Sequence, residues 1–259
     1  MGVLPKIIFI VPYRDRVEHK QFFLKYMEFL MEDYDKSDYE LYFSHQCDNR
    51  PFNRGAMKNI GFLAIKQKYP NDYKNMTFVF NDVDTLPYTK NLLPYETSGG
   101  KIKHFYGFKF ALGGIVSING SDFEKMNGYP NLWGWSQEDN LLNNRAFYNK
   151  ISIDRSTFFP IGNRNILQFV DSVNKIISKK EILHTKGIYP HGLNSINNLK
   201  LQFKDEYINV YNFNTENNPN NLIYEPHNII EESNIIRVTP RERRMMNSTN
   251  RNLSMLNFI

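Results

Sequence analysis

The chain has 259 residues, of which 41% are hydrophobic and 15% aromatic, and its formal net charge is +5. This length suits one large domain, or one domain with a small extension, and the composition is sufficient for a hydrophobic core. No stretch approaches the roughly 20 uninterrupted apolar residues of a membrane span. The modest positive charge suits an anionic ligand such as a nucleotide as well as a nucleic acid. The single cysteine, Cys47, excludes an intramolecular disulfide and fits a reducing compartment.

The first third of the chain alternates between strand and helix patterns. Short runs of β-branched and aromatic residues predict strands, and apolar residues at helical spacing predict helices. The predicted strands are 7–11, 39–44 and 77–80, and the predicted helices are 18–33 and 53–69. This alternation is typical of an α/β fold with a parallel sheet, in which ligands bind at the carboxyl ends of the strands. Arg14, Asp48 and residues 82–84 are expected at that edge.

Beyond residue 100 the pattern is mixed. A strand is predicted at 115–118 and a helix at 140–149. From Asn212 the chain becomes rich in asparagine, and a basic cluster follows at 237–244. We expect this last part to be an appendage that is partly disordered or packed across the domain.

An acid pair follows the third predicted strand, at Asp82-Val83-Asp84. In a strand or tight turn, residues two apart point the same way, so the two carboxylates repel each other. Such a pair persists where a cation neutralises it, and hard divalent ions are held by one or two carboxylates together with substrate phosphates. The alternative is an Asx-type turn at the end of a strand.

Three other segments carry residues that could accompany this acid pair. Arg14 and Arg16 follow the first strand, where guanidinium groups can bind phosphate or a nucleobase carbonyl, or can form a helix cap with a surface ion pair. Asn53 opens the second helix, whose N-terminus suits an anion, although Asn53 also fits a simple N-cap. His184 stands alone in the sequence, and lone histidines are more often structural than metal ligands.

The only two tryptophans, Trp133 and Trp135, flank Gly134, and the acids Glu138 and Asp139 follow closely. Large aromatic side chains favour burial, whereas carboxylates favour water. The segment is therefore either an unusual piece of core or a site where a carboxylate is held beside an aromatic wall.

Taken in order, these motifs resemble the β-1,4-galactosyltransferase family, glycosyltransferase family 7. The series is V-P-Y-R-D-R, F-N-R-G, D-V-D, G-G-I-V-S and N-G-Y-P-N-L-W-G-W-S-Q-E-D, and a later G-L-N-S also matches. The match runs from about residue 7 to about residue 212. Each motif is weak alone, but five in series are specific. The resemblance implies a catalytic domain over 1–213 with an extension over 214–259, a nucleotide-sugar-binding fold of the GT-A type, a UDP-sugar donor and Mn²⁺.

The same resemblance implies roles for individual residues. Asp139 matches the general base, with Glu138 beside it, and Trp135 would lie against donor and acceptor. The implied metal ligands are Asp84 and His184, with Glu181 at a position where many relatives have methionine. The implied donor contacts are Pro12, Tyr13, Arg14, Arg16, Phe52, Asn53, Arg54, Asp82, Val83, Ala111, Gly113, Gly114 and Trp135. The implied acceptor contacts are Gln137, Asp139 and Asn140.

The implied reaction is an inverting transfer to a hydroxyl of a glycan or glycoconjugate, and three departures from the family bear on its substrates. Asn140 stands where relatives usually have a further aspartate. Ser136-Gln137 replaces the usual glycine pair, so the acceptor pocket is expected to differ from one for a terminal GlcNAc. Ala111 replaces a tyrosine found in relatives that are strict for galactose. The smaller side chain predicts a relaxed donor preference that admits N-acetylated sugars.

Other interpretations remain open from the sequence. The chain could be a catalytically inactive module that binds UDP-sugar or glycan. Nucleic-acid binding through the cluster 237–244 is disfavoured because that cluster contains Glu242 and lacks interleaved aromatics; it fits a solvated tail or a homo-oligomer contact better. With one cysteine, and neither a signal nor a membrane anchor recognised, we expect the host or viral-factory cytoplasm rather than the Golgi lumen. The many Asn, Lys and Ile residues suggest an AT-rich genome, such as that of a large DNA virus or a protist.

Overall fold

The computed structural model describes residues 4–169, 174–183 and 189–228. Within these ranges the chain forms thirteen strands and five α-helices. The strands are β1 (Ile7–Tyr13), β2 (Tyr39–Gln46), β3 (Thr77–Asn81), β4 (Thr85–Pro87), β5 (Lys101–Gly107), β6 (Ile115–Asn119), β7 (Ser152–Asp154), β8 (Phe159–Pro160), β9 (Ile166–Gln168), β10 (Asn174–Ile177), β11 (Asn197–Lys204), β12 (Tyr207–Asn214) and β13 (Glu225–Asn228). The helices are α1 (Val17–Leu30), α2 (Arg54–Lys68), α3 (Gly120–Lys125), α4 (Glu138–Tyr148) and α5 (Lys179–Leu183).

The main sheet has nine strands in the order β11-β12-β2-β1-β3-β6-β5-β7, with β8 also paired to β5. The strands β12, β2, β1 and β3 are parallel, and β6 and β11 run antiparallel to their neighbours β3 and β12. The sheet is therefore mixed rather than parallel throughout. The predicted α/β class is confirmed, and helices flank this mixed sheet.

The first strand is buried on both faces because a helix covers each of them. Ile7, Phe9 and Val11 pack in one core cluster with Phe23 of α1. Ile8 and Ile10 point the opposite way and pack in a second cluster with residues of α2. A strand covered on both faces has a continuous run of apolar residues in its sequence, and this run predicts β1. Each such side chain contributes about 1.5–3 kcal/mol of burial free energy.

The helix boundaries differ from the predicted ones where capping decides them. The side chain of Asn53 accepts a hydrogen bond from the Ala56 backbone N–H at 2.8 Å, so α2 begins at Arg54. The helix predicted at 140–149 begins two residues earlier, at Glu138. Acidic residues are favoured in a first helical turn because the peptide dipoles leave positive charge there. As a result, Glu138 and Asp139 are fixed on a helix rather than on a free loop.

The described part of the predicted extension, residues 214–228, packs on the rest of the domain. The indole N–H of Trp133 donates to Thr215 Oγ1 at 3.0 Å, β13 pairs with β10, and Leu222 is buried in the core. The basic cluster at 237–244 lies outside the described residues. No helix in the described ranges is long and apolar enough to cross a membrane.

Candidate active site

One cleft runs along the carboxyl ends of β1, β2 and β3, where the sequence predicted a ligand site. Its volume is about 860 Å³, within the size range of small-molecule sites. The predicted site residues that line it are Pro12, Arg14, Arg16, Phe52, Arg54, Asp82, Val83, Asp84, Trp135 and Glu138. Residues far apart in the sequence therefore meet in a single place.

One wall of the cleft carries positive charge. Arg14 and Arg16 follow β1, and Lys175 reaches the same cleft from β10. The guanidinium of Arg14 donates to the backbone carbonyl of Arg50 and lies 5.5 Å from the centroid of the Phe52 ring. Arg16 occupies the N-cap position of α1, but its side chain makes no capping hydrogen bond. The cap alternative is thus excluded for Arg16, and these cations suit a phosphate-bearing ligand.

The acid pair lies on a tight turn between β3 and β4, and the turn is held by a neighbouring residue. The side-chain NH₂ of Asn81 donates to the backbone carbonyls of Asp82 and Thr85, both at 2.8 Å. The Asp82 N–H donates to the Gly114 carbonyl at 3.0 Å. Because Asn81 and the backbone hold the turn, the carboxylates of Asp82 and Asp84 are left to face the cleft, and the Asx-turn alternative is not needed.

Asp84 has the electrostatic character of a metal ligand. Burial, together with repulsion from Asp82, raises the pKa of Asp84 to about 6. The Oδ1 atom of Asp82 is also buried and accepts no hydrogen bond from the described residues. A divalent cation would relieve this repulsion, so the two side chains fit such an ion. In the described ranges no group of three or more His, Cys, Asp or Glu residues is arranged to hold a metal ion.

The floor of the site is a buried cluster of opposite charges centred on Arg54. The guanidinium of Arg54 contacts Glu138 Oε1 at 2.7 Å, Asp82 Oδ2 at 2.9 Å and Asp139 Oδ2 at 2.5 Å. Lys58, one helical turn further along α2 and only 1% exposed, lies 3.3 Å from Asp139 Oδ1 and 3.6 Å from Asp82 Oδ1. Three carboxylates thus face two cations, and Asp84 adds a fourth carboxylate nearby.

The pKa values of the two neighbouring acids of α4, Asp139 and Glu138, are shifted in opposite directions. Burial by itself raises the pKa of Asp139, but the charges of Arg54 and Lys58 outweigh burial and hold that pKa below its usual range. For Glu138, burial dominates over the attraction of Arg54 and raises the pKa. Its Oε2 atom is buried and accepts no hydrogen bond within the described part of the chain. Of these two acids, Asp139 therefore ionises at the lower pH.

The loop between β5 and β6 supports these acids rather than lining the cleft. The Leu112 N–H donates to the backbone carbonyl of Asp139 at 2.8 Å. A Cβ on Gly113 would lie 2.3 Å from Asp139 Oδ2, so a side chain at this position would displace the carboxylate. Gly114 holds Asp82 through the hydrogen bond already described, and Ala111 is 6% exposed. None of these three residues lines the cleft, and their expected contact with the donor stays a prediction.

The two tryptophans have different surroundings. Trp133 is fully buried and stacks on Phe213, with ring centroids 5.4 Å apart, so it belongs to the core and not to an aromatic wall. Trp135 lines the cleft, and its ring stacks on His227. Gly134 between them has φ +80°, and a Cβ there would lie 2.7 Å from the Ile176 carbonyl oxygen. Only glycine fits this turn, which carries the chain from core to cleft.

Two expected donor contacts occupy structural positions instead. Tyr13 is 5% exposed and packs edge-on against Phe43 and His45. Asn53 is fully buried, caps α2 and donates its side-chain N–H to the carbonyl of Asn131 at 3.1 Å. Tyr13 points into the core because alternate residues of β1 face alternate sides of the sheet. Asn53 is the N-cap of α2, which was the alternative to an anion-binding role.

Glu181, one of the expected metal ligands, does not line the cleft. Glu181 is fully buried and accepts hydrogen bonds from the Asn217 side chain at 2.8 Å and the Trp133 N–H at 3.3 Å. Burial, opposed by the Trp133 hydrogen bond, raises the pKa of Glu181 to about 7. The structure gives no support to Glu181 as a metal ligand and places it as a link between two segments of the core. His184 lies outside the described residues.

The expected acceptor contacts lie at the start of α4. Gln137 is its N-cap residue and Asn140 lies in its first turn, and both are partly buried beside Asp139. Neither they nor Asp139 lines the cleft. Their contact with an acceptor stays a prediction.

Two cations of the site, Lys58 and Lys175, were not predicted from the sequence. Lys58 lies four residues after Arg54, the spacing that places two helical residues on one face. This spacing was the available signal, but a lysine beside apolar residues such as Met57 is usually assigned to the surface. Lys175 sits in a short strand with Ile176 and Ile177, and only the pairing of β10 with β13 places it in the cleft.

Comparison with known proteins agrees with this geometry. A family model described as the N-terminal region of glycosyl transferase group 7 matches residues 3–95. A second model, described as the N-terminal domain of galactosyltransferase, matches residues 99–168. The chain belongs to glycosyl transferase group 7. The resemblance drawn from the motifs is thereby confirmed.

Curated members of group 7 show the same relationship. Human β-1,4-galactosyltransferase 1 is 30% identical over 203 residues, which cover 74% of this chain and 50% of the human protein. The mouse counterpart is 31% identical over 203 residues, with the same two coverages of 74% and 50%. This group 7 chain thus spans about half the length of the curated relatives it matches.

Two solved structures share the fold. A Drosophila β-1,4-galactosyltransferase 7 mutant, in complex with manganese, UDP-Gal and xylobiose, superposes with a TM-score of 0.66 at 21% identity, covering 84% of this chain and 97% of that one. The catalytic domain of the same Drosophila enzyme with xylobiose gives a TM-score of 0.64 at 22% identity, with the same coverages of 84% and 97%. The predicted GT-A type of fold is therefore confirmed.

Proposed function

We propose that this group 7 chain is a metal-dependent, inverting glycosyltransferase that moves a hexose or N-acetylhexosamine from a UDP-sugar to a hydroxyl of a glycan or glycoconjugate. The observation that carries the proposal is the single cleft at the strand ends, which joins a cationic wall to a buried acid cluster. A nucleotide diphosphate needs the first feature, and a hydroxyl nucleophile needs the second. The Drosophila relative bound to manganese, UDP-Gal and xylobiose supports the same combination of ligands.

The cationic wall would bind the donor. Arg14 and Phe52 form a flat, charged surface at one end of the cleft, suited to a nucleobase. Arg16 and Lys175 reach the same cleft as Asp84 and suit the diphosphate. These side chains would place the anomeric carbon of the sugar near the acid cluster and would offset negative charge on the departing UDP.

Asp84 would hold the metal ion, here Mn²⁺, together with oxygens of the diphosphate. When bound, the ion supplies positive charge that stabilises the leaving nucleoside diphosphate. The contribution of the chain is a buried acid whose pKa is raised by burial and by the neighbouring carboxylate of Asp82. The neighbouring Asp82 is paired with Arg54 and would orient the donor rather than the ion.

Asp139 would act as the general base. It is fixed in the first turn of α4, and Arg54 and Lys58 contact its carboxylate and lower its pKa. The acceptor hydroxyl would give its proton to Asp139 while its oxygen attacks the anomeric carbon. Attack from the face opposite the departing UDP inverts that carbon in a single displacement and requires no covalent intermediate.

An exposed aromatic pair supports a sugar acceptor. Phe108 and Phe110 are 56% and 63% exposed, and their rings stack with centroids 5.3 Å apart. They lie on the β5–β6 loop, the same loop whose Leu112 is bonded to Asp139. Exposed apolar side chains that cluster beside a reactive group indicate a binding surface.

The experiment is a transfer assay with purified protein, analysed by mass spectrometry. UDP-Gal, UDP-GalNAc, UDP-GlcNAc and UDP-Glc are each offered with xylose- and GlcNAc-terminated acceptors, with Mn²⁺ or with EDTA. We expect a product that requires the metal, and we expect N-acetylated donors to be accepted because of Ala111. Strict use of UDP-Gal would contradict the donor prediction alone. UDP binding without any product across a wide acceptor panel would favour the inactive binding module.

A further inference from the structure

Lys58 is buried at a position where lysine is rarely found. Its side chain is 1% exposed, and its helix neighbours Met57 and Ile60 are fully buried core residues. Charged side chains are seldom fully buried unless they are paired, because removing a charge from water is costly. Its partners are the carboxylates of Asp139 and Asp82. Because burying this amine is costly, its ion pairs with the two carboxylates indicate a role in the site.

The two cations of α2 hold different oxygens of the same carboxylate. Arg54 contacts Oδ2 of Asp139 at 2.5 Å, and Lys58 contacts Oδ1 at 3.3 Å. Oδ2 also lies close to Gly113, where an added Cβ would be 2.3 Å from it. Oδ1 makes the longer of the two contacts, and Lys58 is the cation beside it.

Lys58 also has a second partner within reach. Asp82 Oδ1 lies 3.6 Å from the amine, is buried, and accepts no hydrogen bond from the described residues. The amine additionally lies 4.5 Å from the centroid of the Tyr129 ring, a favourable cation–π distance. The Tyr129 hydroxyl donates to the carbonyl of Leu112, whose own N–H donates to the Asp139 carbonyl. The position of Lys58 is thus tied to the backbone that carries Asp139.

We propose that Lys58 is a positioning residue for the proton-accepting carboxylate: it holds Oδ1 of Asp139 in place and ionised, and it keeps its pair with Asp82 once Oδ1 has taken the proton. This inference rests on the proposed function, in which Asp139 is the base. The proton moves from the acceptor hydroxyl to Oδ1, and the hydroxyl oxygen bonds to the anomeric carbon. The bond from that carbon to the diphosphate oxygen breaks, and its electron pair leaves with UDP.

Several titratable groups face Asp139. They are Arg54, Lys58, Asp82, Glu138, His104 and Tyr129. Removing Lys58 tests the influence of one cation on the pKa of Asp139 without removing the ion pairs of Arg54. Arg54 contacts three carboxylates, so its loss disturbs the whole cluster. An opposite charge within about 4–6 Å lowers the pKa of a carboxylate by roughly 1–3 units. Loss of Lys58 should therefore raise the pH at which the base becomes protonated by a similar amount.

The test is the pH profile of kcat/KM for sugar transfer in Lys58→Met, Lys58→Arg and the adjacent control Met57→Leu. The acid limb of this profile reports the pKa of the base in the free enzyme. We expect the acid limb of Lys58→Met to move to higher pH by about 1–3 units. Lys58→Arg retains the charge and Met57→Leu leaves the cluster untouched, so both should keep the wild-type limb. If the acid limb of Lys58→Met coincides with that of the wild type, the inference is overturned, whatever the absolute value of kcat/KM.

A double variant covers the case in which Lys58→Met does not fold. Without Lys58 the negative charge of Asp139 has lost one of its cation partners. If this unpaired charge prevents folding, then removing it in Lys58→Met/Asp139→Asn should restore a cooperative thermal transition. Failure of the double variant to recover would also overturn the inference. Asp139→Asn alone separates this inference from the proposed function. Transfer that survives in Asp139→Asn removes the base assignment itself, whereas an unmoved acid limb with inactive Asp139→Asn removes only the role of Lys58.

Discussion

Replacing Arg54 with methionine is the most demanding test of the charge cluster. Arg54 is the shared partner of Glu138, Asp82 and Asp139, whose side chains are 3%, 18% and 16% exposed. Methionine keeps the length and apolar stem but leaves these carboxylates facing Lys58 alone. Removing one partner from a buried ion pair costs about 3–5 kcal/mol, a large fraction of the 5–15 kcal/mol of a typical domain. At about 2–4 °C per kcal/mol, the melting temperature should fall by roughly 6–20 °C.

The pH dependence of this loss has a defined sign. Without Arg54 the pKa of the buried carboxylates rises above the unfolded value, so the folded state binds protons more tightly than the unfolded state. The stability deficit of Arg54→Met should therefore be largest at neutral pH and shrink as the pH falls toward the unfolded pKa values near 4.

The assay is thermal unfolding followed by circular dichroism at pH 7 and pH 5, without nucleotide. The control is Lys25→Met, which breaks an exposed pair with Glu28 at 3.2 Å and should change stability by no more than about 1 kcal/mol. A loss below about 1 kcal/mol for Arg54→Met, or a loss that does not shrink on acidification, would refute the assigned role of the cluster.

Three further perturbations test other parts of the site. Gly134→Ala should lose about 1–3 kcal/mol in thermal unfolding and more than the control Gly162→Ala, because both have φ +80° but only Gly134 faces a backbone oxygen at 2.7 Å. Asn81→Ala removes two hydrogen bonds that fix the acid turn, so the Mn²⁺ dissociation constant from calorimetry should rise while the fold is retained. Because the pKa of Asp84 is about 6 without metal, Mn²⁺ affinity should fall about tenfold per pH unit below 6, and affinity that is flat to pH 5 would contradict this.

The sequence was sufficient for those parts of the fold that depend on local pattern. The apolar run of β1 is continuous because helices cover both faces, and the alternation up to β3 placed Arg14 and Asp82 at the same sheet edge. The start of α4 was placed two residues late because Glu138 and Asp139 follow a glycine-containing turn and resemble a loop. The mixed half of the sheet depends on antiparallel pairing of β6, which no local pattern specifies.

The candidate site was less predictable because burial decides several roles. Lys58 was missed because lysine is usually exposed, and its burial depends on Asp82 and Asp139, which are distant in the sequence. Glu181 was expected at a metal ion, whereas hydrogen bonds from Trp133 and Asn217 satisfy it in the core. Such long-range partners become visible only when the chain is folded.

The central claim is that Asp139 is the base of a glycosyl transfer in this cleft. The most direct measurement compares kcat for sugar transfer with UDP affinity in Asp139→Asn, with Glu138→Gln as the matched control. We predict that Asp139→Asn lowers kcat by a factor of about 10²–10⁴, the usual contribution of a general base, and leaves UDP affinity close to wild type. Glu138→Gln should lose less activity because Glu138 does not take the proton. Asp139→Asn that retains more than about a tenth of wild-type turnover would contradict the claim.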